Sequence, residues 1–139
     1  RILVPIDFSD LSEKALKAAD ELAVERGATL TLLHVYQIVE VVVMDFAYVQ
    51  PPEKVSEVCD ASRERLKEWA AGLQTPAEKI TIQVTTGAPA MEVVEASEGH
   101  DLVVMPTHGR TGVKHFMLGS VAERVVQAAR CSVPVIKEK

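Results

Sequence analysis

Short apolar runs alternate with amphipathic stretches along the whole chain. Ile2-Leu3-Val4-Pro5-Ile6, Leu30–Tyr36 and Leu102-Val103-Val104-Met105 are near-continuous apolar runs, as strands buried on both faces produce. Val133-Pro134-Val135-Ile136 reads as a last strand. Ile80-Thr81-Ile82-Gln83-Val84 alternates instead, which predicts a strand with one more exposed face, near an edge. Between these runs the period changes. Leu11, Ala15, Ala18 and Leu22 recur at helical spacing, with Ser9 and Asp10 as N-cap candidates and Gly27 as the stop. Pro51-Pro52 introduces a helix over 51–73 whose one face carries Val55, Cys59, Ser62, Leu66, Trp69 and Leu73. Gly87-Ala88-Pro89 opens a short helix that ends by Gly99, and a helix after Gly119 turns Val121, Val125 and Ala129 inward.

Strands alternating with helices predict right-handed crossovers and a parallel sheet covered on both faces, a doubly wound, Rossmann-like α/β fold. Ligands of such sheets sit at the carboxyl ends of the strands, where the strand order reverses. Pro134 cannot donate to a ladder, so the last strand belongs at an edge, and an apolar edge calls for a cover such as a dimer partner. Residues 37–50 are too apolar for a solvated loop. They are expected to form a loop covered by a partner or lying over the ligand cleft, with a hairpin or short helix as the alternative.

A length of 139 residues corresponds to one domain with its own core. The net charge of −5 argues against non-specific binding to nucleic acid or to an anionic membrane. No signal peptide and no apolar run of about 18 residues is evident. The chain opens at Arg1 without an initiator methionine, so a few residues are expected to precede it. Cys59 and Cys131 show no metal or redox spacing and are expected to be buried, reduced thiols of a cytosolic protein.

The most informative stretch runs from Met105 through Pro106, Thr107, His108, Gly109, Arg110, Thr111 and Gly112 to Leu118-Gly119-Ser120-Val121. It follows a strand and opens a helix. Small residues admit a ligand close to the backbone, and a helix N-terminus presents N–H groups to an anion. His108, Arg110, Lys114 and His115 add basic or potentially basic groups in an acidic chain. Ser120 followed by Glu123 has capping-box spacing, so the Ser120 hydroxyl is expected to cap the helix or turn to a phosphate. Helix-end charge effects are only about 0.3–1 kcal/mol each. Micromolar affinity requires about −8 kcal/mol, so base burial and several hydrogen bonds must add to them. Asp7, just past the first strand, is placed to accept from a ribose or an amide or to hold a metal-bound water, and equally to cap a helix or turn. No Walker loop, GxSxG elbow, HExxH pair or catalytic acidic pair is present, and no general base for phosphoryl transfer stands out.

Taken together these residues resemble the universal stress protein family, in its nucleotide-binding branch. Val4-Pro5-Ile6-Asp7-Phe8-Ser9 is similar to the family's opening strand and ribose-contacting turn. Leu33-His34-Val35 is similar to its second strand end, where Val35 would touch adenine. The run from Val104 to Glu123 is similar to its ATP signature, in which Gly109 is followed by nine residues and then by Gly119-Ser120. The signature's first glycine falls at position 106, where this chain has Pro106, which removes an N–H and stiffens the loop. The resemblance implies a five-stranded parallel sheet of order 3-2-1-4-5 with an adenine nucleotide, ATP or AMP, between the first and fourth strands, and Mg²⁺ on its phosphates. Pro5, Asp7, Val35, Met105 to Gly112, Gly119, Ser120 and Val121 would line the site. It further implies a cytoplasmic homodimer joined through Val133, Val135 and Ile136 of the last strand, with residues 37–50 open to a protein partner. Two other readings compete: an interaction module that binds no nucleotide, which Pro106 favours, and a slow ATPase or adenylyl-transferring enzyme.

Overall fold

The alternation of strands and helices is realised in the computed structural model, which describes residues 1–38, 40–43, 46–109 and 118–137, with 41–43 and 46–47 as backbone alone. Strand β1 (Ile2–Pro5) leads into helix α1 (Asp10–Arg26) and strand β2 (Leu30–Tyr36). Two short strands, β3 (Glu40–Val43) and β4 (Phe46–Val49), precede helix α2 (Pro52–Ala71). Strand β5 (Ile80–Thr86), helix α3 (Pro89–Ser97) and strands β6 (Leu102–Val103) and β7 (Met105–Pro106) follow. Helix α4 (Ser120–Ala128) and strand β8 (Val135–Ile136) come last.

Strands β5-β2-β1-β6 form one parallel sheet and β7-β8 a second parallel pair. The two are joined through Val104, whose N–H donates to the Leu3 carbonyl at 2.9 Å. Its neighbours turn the other way: Val103 N–H donates to Ser132 at 3.0 Å and Met105 N–H to Pro134 at 3.3 Å. One extended run from 102 to 106 therefore serves β1 on one side and the β8 segment on the other. Read through that run, the order is the expected 3-2-1-4-5, with the alternating strand β5 at one edge and β8 at the other.

Helices cover both faces, and the period-2 alternation of β1 sorts its side chains between them. Ile2, Val4 and Ile6 join Ala15, Leu16, Ala19 and Ala23 of α1 and Leu66 of α2. Leu3 joins Leu33, Val103 and Met105 with Val93 of α3 and Ala122 and Val125 of α4. Each fully buried leucine, such as Leu3 or Leu66 at 0% exposure, contributes about 1.5–3 kcal/mol through the water it sheds.

Three expectations need correction. The buried stripe of α1 runs through Ser12, Leu16, Ala19 and Ala23 beside Leu11 and Ala15, whereas Ala18 and Leu22 are only half-buried. Small residues let that wider stripe lie close on the sheet. In α4, Ala122 and Val125 are the buried pair, while Val121 and Ala129 stay half-buried at its margin. Residues 40–43 and 46–49 pair as antiparallel strands, with Glu40 opposite Val49 and Val43 opposite Phe46, rather than the loop expected first. β-Branched and aromatic residues favour extended backbone, and cross-strand pairing satisfies backbone groups a loop would leave to solvent. The Tyr36 hydroxyl donates to Gln50 Oε1 at 2.7 Å, tying the residue after β4 to the end of β2.

Candidate functional site

The carboxyl ends of β1 and β7 face each other, and the sequence places different chemistry on each. Beyond Pro5, which pairs with Leu33, the Ile6 N–H still donates to the Leu33 carbonyl at 2.8 Å. The chain then turns. Asp7 Oδ1 accepts from the Ser9 N–H at 3.0 Å, from the Ser9 hydroxyl at 2.6 Å and from the Ser12 hydroxyl. Ser9 is the N-cap of α1 and accepts from the Ser12 N–H at 3.2 Å. Asp7 thus fills the turn role with one oxygen and turns the other toward β7.

Phe8 holds this turn from the other side. Its φ of 62° lies in the left-handed region, which costs a residue with a β-carbon about 1–2 kcal/mol. The ring packs 4.7 Å from the His34 ring and edge-on to Trp69 at 5.5 Å, with the Arg65 guanidinium 4.3 Å above it. His34 is itself fixed, its Nδ1 donating to the Ile6 carbonyl at 2.7 Å. Stacking and cation–π attraction of this kind offset the backbone cost.

At the end of β7, Met105, Pro106 and Thr107 are buried and Gly109 is exposed. The Thr107 hydroxyl and His108 Nδ1 lie 3.0 Å apart, and the Thr107 carbonyl accepts from the Gly119 N–H at 2.7 Å. Backbone donors along this run alternate in direction, and Thr107 N–H points to Ile136 at 3.0 Å. The nitrogen of Pro106 therefore lies on the β1 side. Its missing N–H costs the β8 pairing nothing and removes a donor from the cleft side alone.

The start of α4 differs from expectation. Gly119 is the N-cap, and Glu123 N–H donates to its carbonyl at 2.8 Å. Ser120 is the first helical residue rather than the N-cap, so the expected capping box does not form. The bond from Gly119 to Thr107 sets this register. A β-carbon on Gly119 would stand 3.1 Å from His108 Cα and 3.2 Å from the Thr107 carbonyl oxygen. Small size is thus required where α4 meets the 107–108 turn.

Of the residues singled out from sequence, Asp7 and Gly109 meet directly, and Thr107, His108 and Gly119 form one packed turn beside them. Val35 and Val121 pack with Met105 in the apolar layer on the α3–α4 side, an apolar wall next to polar backbone. Arg110, Thr111, Gly112, Lys114 and His115 lie outside the described residues. Sequence reasoning missed Ser12 and the Phe8 cluster. The Ser9-x-x-Ser12 spacing carried a signal for the first, whereas nothing local marks Phe8 for stacking on residues of β2 and α2.

Two other polar groups are structural. Asp20 of α1 is 5% exposed. Burial pushes its carboxyl up, but donation from the Thr75 hydroxyl and from the Gln74 and Thr75 N–H groups outweighs this and holds it below the usual range. Cys131 is pushed up by burial and by the Asp101 charge, so it stays a thiol. Both cysteines are free and half-buried, less buried than expected. Among the described residues no group of three or more His, Cys, Asp or Glu side chains could hold a metal ion, and no helix is long and apolar enough to cross a membrane.

This geometry occurs in a chain whose residues 1–137 match the model of the universal stress protein family. A universal stress protein of Methanocaldococcus jannaschii is 38% identical over 144 residues, covering 99% of this chain and 82% of the relative. One from Mycobacterium tuberculosis is 38% identical over 138 residues, covering 97% of this chain and 44% of the relative, so the chain spans less than half of that protein. Among solved structures, a universal stress protein from Lactobacillus plantarum superposes with a TM-score of 0.72 at 28% identity, over 97% of this chain and 95% of that one. A universal stress protein in complex with cAMP superposes at 0.72 with 21% identity, over 97% and 94%. One from Archaeoglobus fulgidus in complex with dAMP superposes at 0.63 with 20% identity, over 98% and 96%. These last two share the fold.

Proposed function

Because this chain belongs to the universal stress protein family, we propose that it binds an adenine nucleotide, ATP or AMP, as a regulatory ligand between the ends of β1 and β7. The observation that carries the reading is Asp7 Oδ2 set against Gly109 across that opening. A carboxylate there suits ribose hydroxyls, and Gly109 carries no β-carbon that would displace it. Val35, Met105 and Val121 offer an apolar wall for a base. The first turn of α4, with Ser120 exposed at its mouth, offers N–H groups to a phosphate. Two proteins of the same fold, in complex with cAMP and with dAMP, add support for an adenine nucleotide.

In this reading Mg²⁺ arrives with the phosphates. The protein works in the cytoplasm as a homodimer paired through Val133, Val135 and Ile136, and its output is a surface that a partner reads, with residues 37–50 as the contact.

Pro106 favours a second reading, an interaction module without nucleotide, because its ring replaces an N–H on the cleft side. Calorimetric titration with ATP and AMP in Mg²⁺, on protein first checked for co-purified nucleotide, separates the two. Heat saturating at micromolar ligand, or nucleotide released on denaturation, supports the first. Silence up to millimolar ligand supports the second. Release of phosphate or pyrophosphate during incubation would show an enzyme.

A further inference from the structure

Ser12 is 1% exposed and sits in the first turn of α1, a place where a serine is usually solvated. Its hydroxyl accepts from the Asp7 N–H at 3.1 Å and donates to Asp7 Oδ1. One hydroxyl thus closes a ring that contains the Asp7 nitrogen, Cα, Cβ, Cγ and Oδ1. Such a ring fixes both side-chain torsions of Asp7. The two donors from Ser9 converge on the same Oδ1, so that oxygen is turned into the turn and Oδ2 toward Gly109.

We propose that Ser12 is a positioning residue that sets the sugar specificity of the site, by locking Asp7 with Oδ1 inward and Oδ2 presented to the ribose hydroxyls. This rests on the nucleotide reading above. The physical argument is preorganisation. A carboxylate already held at its working angle loses no rotamer freedom when it accepts a hydroxyl, and a site built to accept one rejects a sugar that lacks it. Ser12 itself is buried away from any ligand, so it acts only through Asp7.

The test compares AMP with 2′,3′-dideoxyadenosine monophosphate by calorimetric titration on wild type, Ser12→Ala and Ser12→Thr, each at a temperature well below its own melting transition. Wild type is expected to favour AMP by roughly tenfold to a hundredfold, the worth of a hydrogen bond to a charged group. Ser12→Ala is expected to lose most of that ratio through weaker AMP binding, while dideoxy binding stays within about threefold. Ser12→Thr keeps the hydroxyl and is expected to keep the ratio. A purely structural serine would weaken both ligands together, and an unchanged ratio in folded Ser12→Ala overturns the proposal while the nucleotide reading stands. If Ser12→Ala does not fold, Ser12→Cys, of similar size and a weak donor, is measured with the same two outcomes. Wild type that binds AMP without preferring it removes the Asp7–ribose contact, and wild type that binds neither ligand removes the nucleotide reading, and the proposal with it.

Discussion

Gly109 lies so close to Asp7 that a β-carbon on the glycine would stand 2.5 Å from the carboxylate Oδ2. Asp7 has little room to retreat, because its Oδ1 is held by Ser9 and Ser12. The glycine is therefore a condition for the carboxylate's orientation. Gly109→Ala is expected to displace Asp7 and lower AMP affinity at least about tenfold, since a charge-assisted hydrogen bond is worth about 1.5–3 kcal/mol. Titration of the folded variant checks it, and unaltered affinity would place the ligand elsewhere.

Asp7→Ala is expected to weaken ATP and AMP by the same factor, because the ribose is common to both. A loss confined to ATP would put Asp7 on the phosphates instead.

The register of α4 separates two neighbours that look alike in sequence. Ser120 is exposed and is the first helical residue, not the N-cap, so Ser120→Ala should change stability by less than about 0.5 kcal/mol. Gly119→Ala should cost about 1 kcal/mol, from the poorer N-cap and the tight contact with Thr107 and His108. Urea denaturation of the two variants is the comparison; equal losses would contradict the register. Gly119→Glu should abolish nucleotide binding, by adding bulk and negative charge at the phosphate end.

Asp20 joins α1 to the segment after α2 through three donors. Its folded-state carboxyl titrates below the unfolded value, so its charged form stabilises the fold. That contribution is fully present above the unfolded pKa of about 3.9 and is lost as pH falls through the lowered folded value. Asp20→Asn is expected to cost about 1–3 kcal/mol at neutral pH and to flatten the loss of stability below about pH 4. Urea midpoints across pH 3 to 7 measure both effects, and parallel curves for variant and wild type would exclude the role.

The last strand offers a clean test of assembly. Ile136 packs against the α1 side of the core and Val133 against the opposite layer, whereas Val135 belongs to neither. In the proposed homodimer, Val135→Glu is therefore expected to convert dimer into folded monomer by light scattering. A variant that remains dimeric places the interface elsewhere.

Much of this was legible along the chain because it depends on local pattern. Runs such as Ile2–Ile6 and Leu102–Met105 declare buried strands, and the αL position taken by Gly27, with φ 65°, is where a glycine belongs at a helix end. Pro134 announced an edge. Composition and spacing also marked Asp7, Gly109 and Gly119. The paired strands at 40–43 and 46–49 were harder, since short apolar runs fit a covered loop as well as paired strands. The capping register failed for a different reason. Ser120-x-x-Glu123 is a good local signal, but the bond between Gly119 and Thr107, residues brought together by packing, moved the cap by one position.

The sequence by itself determined the alternation of central-sheet strands and helices, the two faces of the sheet and the residue types at the mouth of β1 and β7, because periodicity and turn chemistry act over a few residues. Only the tertiary structure decided which atoms meet. The meeting of Asp7 with Gly109, the seating of Phe8 between His34 and Trp69 at positive φ, and the direction of the missing Pro106 N–H each depend on strands and helices far apart in the chain. Contacts of that kind follow from packing and sheet register, which no short window of sequence contains.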